Sequence, residues 1–67
     1  MTPEYRLERI TETIRAIKIG VPISKTLVML LLEPWPDLHR DAMTREGEGW
    51  INLLQAAAAR IERVLDD

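Results

Sequence analysis

Apolar positions fall on helical spacings over most of the chain. Leu7, Ile10, Ile14 and Ile17 follow a 3-4-3 repeat, which lines one face of a helix. Thr2 is a good N-cap, Pro3 suits the first helical position, and Glu4 complements the positive end of the helix dipole. Thr11, Thr13, Arg9, Glu12 and Arg15 occupy the other faces, with i,i+3 pairing from Arg9 through Glu12 to Arg15. Gly20 and Pro22 stop the segment. The pattern predicts a first helix over 3–19.

Residues 27–32 are apolar without interruption, a run too short for periodicity to separate helix from strand. Leu and Met favour helix, and no second strand is available to pair with it. With Ser24 as N-cap and Pro34 restricting Glu33, a second helix is expected over 24–33. A helix apolar on every side has to be surrounded.

Glu33, Pro34, Trp35 and Pro36 make a rigid corner. Pro36 can open a third helix over 36–46, with Asp37 in its first turn and Leu38, Ala42 and Met43 on its apolar side. Asp37 with Arg40, and Asp41 with Arg45, stand at pairing distances on its polar side. Gly47 and Gly49 each cost a helix interior about 1 kcal/mol relative to Ala. Either the helix breaks there, or one long helix runs over 36–65 with a weak middle. In the last stretch, 49–65, Trp50, Leu54, Ala57, Ile61 and Val64 repeat a 4-3-4-3 seam, widened by Leu53, Ala58 and Leu65. The expected fold is therefore all-α: a small bundle of three to four helices in a single domain, 1–67, completed by dimerisation.

Size sharpens this reading. A chain of 67 residues buries only about 60 % of its unfolded surface, so it needs an unusually good core, a staple or a partner chain. With no Cys, disulfides and thiolate metal sites are excluded, and one His cannot build a zinc site alone. The composition, 46 % hydrophobic and 30 % charged, is globular. No segment approaches the roughly 20 apolar residues of a membrane span, and the N-terminus is not a signal peptide. A cytoplasmic protein with no membrane partner is the expectation.

The surplus apolar surface at Leu27, Val28, Leu30, Leu31 and Leu32 would be an exposed patch on a monomer. A two-fold homodimer with those five residues in its interface is expected to bury it.

Catalytic chemistry finds little material. Ser24 reads as a cap, and His39 lies between Asp37 and Asp41 on a polar helix face. No catalytic residue, metal ligand or cofactor is assigned, and the chain is expected not to be an enzyme. The candidate partner-binding residues are Trp35, His39, Arg40, Arg45 and Trp50, because Trp and Arg are the types that most often anchor interfaces. Trp35, held between two prolines, has its position fixed in advance. The expected function is that of a non-enzymatic helical protein that binds and modulates or inhibits another protein. Phage-encoded inhibitors, antitoxins and small regulators are similar to it in composition alone. The alternatives are a helix-turn-helix-like nucleic-acid binder, or a nucleotide sponge stacking on Trp35 and Trp50 with Arg40 and Arg45 on the phosphates. The net charge of -2 and the acidic residues among those cations weigh against both.

Overall fold

The computed structural model describes residues 2–46 and 48–66. Helix α1 spans Pro3–Lys18. The Thr2 hydroxyl accepts from the Tyr5 amide at 3.1 Å, and Pro3 stands in the first turn, where a missing N–H costs nothing. The far end closes through Gly20, at φ 86. The Gly20 amide donates to the Ile17 carbonyl at 3.1 Å and the Val21 amide to Ala16 at 2.9 Å. This crossed pair is the Schellman arrangement, and the left-handed residue it requires is the glycine.

Helix α2 spans Lys25–Leu31. Ser24 has the extended backbone of an N-cap, but its side chain makes no capping hydrogen bond. Leu32 ends the helix, and the chain turns with the Trp35 amide donating to the Leu32 carbonyl at 2.9 Å. Pro36 then opens α3, Pro36–Ala42. This helix is shorter than the spacing predicted. After Ala42 the Met43 and Thr44 amides bond three residues back, and the Thr44 hydroxyl also donates to the Asp41 carbonyl at 3.0 Å. The tightened turn ends the helix, and Met43, expected on the apolar side, is 61 % exposed.

Helix α4 spans Glu48–Asp66. The single long helix over 36–65 is thus not formed, since residues 43–46 are non-helical; Gly47 and Asp67 lie outside the described residues. Gly49 sits inside the first turn of α4, where a Cβ would stand 3.1 Å from the Cβ of Arg45. The close return of the chain after α3 is what glycine accommodates there.

Helices α1 and α4 form the main packed pair. Ile17 and Lys18 stand beside Glu48 and Ile51 at one end, and Pro3 and Arg6 beside Ile61 and Val64 at the other. The two helices are therefore antiparallel. The short helices α2 and α3 close the bundle. The core takes Ile10 from α1, Val28 and Leu31 from α2, Leu32 from the corner, Leu38 and Ala42 from α3, and Leu53, Leu54, Ala57 and Ile61 from α4. Two positions depart from the sequence pattern. Thr13, assigned to a polar face, is buried, with its hydroxyl donating to the Arg9 carbonyl at 2.8 Å. Val64, at the end of the α4 seam, is 64 % exposed. The radius of gyration is 11.1 Å, against about 10.9 Å expected for a compact chain of this length.

One polar contact ties the N-terminal helix to the corner. The Arg6 guanidinium donates from one nitrogen to the carbonyls of Leu30, at 3.0 Å, and Leu31, at 2.7 Å. These carbonyls lie in the last turn of α2, that of Leu30 also accepting from the Glu33 amide at 3.4 Å, and a cation there meets the negative end of the helix dipole.

Candidate functional site

Trp35 occupies the α2–α3 corner as the residue before α3. Its ring is half-buried and forms part of a groove with Pro3, Arg6, Pro34, Ile61 and Val64, with a volume of about 190 Å³. Pro34 and Pro36 on either side restrict the backbone that carries it. The Arg6 guanidinium lies 6.0 Å from the ring centroid, at the outer limit of a cation–π contact. Its carbonyl bonds hold the cation in place. The exposed Val64 supplies an apolar wall.

Trp50 stands elsewhere. It sits in the first turns of α4, half-buried, in a second depression shared with Ile17, Val21, Ile23, Lys25 and Val28. The Lys25 ammonium lies 5.9 Å from its ring centroid and donates to the Met43 carbonyl at 3.2 Å. Arg6 and Ile17, which flank the two tryptophans, are eleven residues apart on α1. That is about 16 Å along a helix. The two rings therefore do not converge on one ligand.

The remaining candidates also separate. His39 is half-buried on α3 and faces Thr26, Met29, Leu30 and Glu33 across a shallow depression. Arg40 is exposed on α3. Arg45 lies beyond that helix, with Asp41 at 3.8 Å. The five residues grouped by sequence thus stand on at least three surfaces. A stacking site combining both tryptophans with Arg40 and Arg45 is not assembled.

Short helices α2 and α3 about a four-residue corner have the outline of a helix-turn-helix. The polar face of α3 argues against nucleic acid: its exposed charges are Asp37, Arg40 and Asp41, two carboxylates against one guanidinium. Asp37 is firmly ionised. Both of its oxygens accept from Arg60 of α4, at 3.2 and 2.8 Å. That hydrogen bonding, more than the bare charge of Arg60, lowers its pKa to about 2, and the same bonds raise that of Arg60. The sequence pairing of Asp37 with Arg40 gives way to this bidentate pair, which geometry favours.

The five residues assigned to a dimer interface divide sharply. Val28, Leu31 and Leu32 are buried within the single chain. Leu30 is 50 % exposed, and Leu27 is half-buried. Within its own chain α2 packs against α1 and α3, and its Leu30 side stays open.

Arg6, Pro3, Ile61 and Val64 were not singled out from the sequence. Arg6 reads there as one more helix cation, and its partners lie 24 and 25 residues away. Among the described residues no group of three or more His, Asp or Glu is placed to hold a metal ion. Comparison with protein-family models, with curated proteins and with solved structures finds no match.

Proposed function

We propose that this protein acts by binding another protein and modulating or inhibiting it, with the Trp35 groove as the contact. The observation that carries this reading is a tryptophan fixed between two prolines in a groove walled by Pro3, Ile61 and the exposed Val64. Trp is the residue type most enriched in interface hot spots. A side chain already immobilised by its backbone loses little entropy on binding. The groove is mostly apolar and too small for a drug-sized ligand, for which pockets run to about 300–1,000 Å³. It suits one or two side chains of a larger partner. Self-association belongs to the same reading in a narrower form: a second copy would meet Leu30, with Leu27 and Met29 beside it.

The test is a tagged pull-down from native cytosol, with and without nuclease, followed by reconstitution from purified components. Val64→Asp is the groove variant, because Val64 is exposed and its replacement leaves the core intact. The reading expects one stoichiometric protein that survives nuclease, rebinds when purified, and is lost with Val64→Asp. A partner retained by Val64→Asp, or recovery of nucleic acid alone, overturns it.

A further inference from the structure

The charges of this chain are segregated along the bundle. Between Glu12 and Glu33 there is no acidic residue, while Arg15, Lys18 and Lys25 all fall there, including both lysines of the chain. The α1–α2 loop lies in the middle of that segment. At the same end stand Arg45, with Asp41 at 3.8 Å from it, and Glu46 and Glu48. That end therefore holds four positive and three negative charges on a chain whose net charge is -2, and the rest of the molecule sits at -3.

The same end carries exposed apolar side chains. Ile19 is 74 % exposed and Val21 45 %, on either side of the αL glycine, and Met43 lies next to the Lys25 ammonium through its own carbonyl. Trp50 is half-buried just beneath. Glu48 shares a depression with Lys18, while residues 13–32 themselves carry no carboxylate side chain.

We propose that the α1–α2 loop is a docking tip for the surface of an anionic phospholipid bilayer. Ile19 and Val21 would enter the boundary between headgroups and acyl chains, with Lys18 and Lys25 at the headgroup phosphates. Few apolar side chains and a small basic patch suffice for reversible surface contact, which differs from the membrane span that the sequence lacks. No described helix is long and apolar enough to cross a membrane. A bare phosphate ligand would leave the exposure of Ile19 and Val21 without a role. An acidic protein surface would share the charges, and the test separates it.

The test is co-sedimentation of the full chain with vesicles of phosphatidylcholine alone and of phosphatidylcholine with phosphatidylserine, beside a soluble polyglutamate competitor. The expected result is binding to the serine-containing vesicles only. It should weaken about fivefold or more with Lys18→Glu, since each basic charge near such a surface is worth about that factor. It should weaken comparably with Ile19→Ser, and be unchanged with Tyr5→Ser, an exposed residue at the other end. Circular dichroism of each variant checks that the fold is retained. Absence of binding at low salt overturns the proposal. So does binding that Ile19→Ser leaves intact and polyglutamate abolishes, which would mean an acidic soluble partner.

Discussion

Removing the Arg6 guanidinium should cost this small fold a large share of its stability. The side chain donates two hydrogen bonds to the last carbonyls of α2, and the shorter, to Leu31 at 2.7 Å, is partly buried. A hydrogen bond to a charged group contributes about 1.5–3 kcal/mol. The bond to Leu30 shares the same nitrogen and is exposed, so it adds little. The contact with Trp35 at 6.0 Å adds at most about 0.5 kcal/mol at its limiting distance. The sum is about 2–3 kcal/mol. A domain of this length has about 3–10 kcal/mol in total, and each kcal/mol moves the midpoint by about 4–8 °C. Arg6→Met keeps the apolar stem and removes only the head, so thermal and urea unfolding should show a loss of about 2 kcal/mol and a Tm lower by about 8–16 °C. Arg6→Lys keeps one charged donor and should fall between Arg6→Met and wild type. If Arg6→Met unfolds within about 0.5 kcal/mol of wild type, well under one charged hydrogen bond, water serves those carbonyls equally well and Arg6 is not a clamp.

Three further outcomes can be measured with the same purified protein. Gly20→Ala should destabilise by about 1 kcal/mol through backbone strain alone, because nothing lies within 4 Å of the added Cβ; a neutral result in chemical denaturation would mean that the αL turn is not maintained. Leu30→Asp should leave the fold within about 1 kcal/mol of wild type and lower the mass seen by light scattering only if copies pair on that face, whereas Leu31→Ala should cost about 2–5 kcal/mol; an unfolded Leu30→Asp protein would contradict the half exposure of that side chain. Asp37 is depressed from 3.8 to about 2, so its pairing with Arg60 contributes above its unfolded pKa and is lost as pH falls through the folded value. The stability difference between wild type and Asp37→Asn should therefore be constant near neutral pH and shrink between about pH 4 and pH 2, and a difference that grows on acidification would reverse the sign of the argument.

Local signals located the elements, and long-range contacts decided their use. Thr2, Pro3, Gly20, Pro34 and Pro36 act on their own backbone neighbours, so the start of α1, its end and the corner were legible from residue types. The end of α3 was not, because the chain tightens after Ala42 through amides bonded three residues back with no glycine or proline to mark the place. Thr13 looked polar, but a hydroxyl that returns to the carbonyl four residues back leaves its outward surface nearly as apolar as valine. At the candidate site Trp35 was visible and its walls were not. Ile61 and Val64 approach it only once α4 has turned antiparallel to α1.

The apolar run at 27–32 shows what sequence adjacency conceals: Val28, Leu31 and Leu32 are buried within the chain, while Leu30 between them is half exposed. Its periodicity was hidden because a helix of 7 residues is too short to display one. The cover given by α1 and α3 does not extend to Leu30. The total accessible surface, 4507 Å², lies within a few per cent of the roughly 4,300 Å² expected for a compact monomer of this mass. The two surfaces proposed for recognition are local: the Trp35 groove at one end and the Ile19–Val21 loop at the other. The flanking residues Arg6 and Ile17 lie about 16 Å apart on one rigid helix. Sites so separated can be altered one at a time. A protein partner bound at Trp35 would then leave the opposite end free, and variants at either end should change their own contact with little effect on the other.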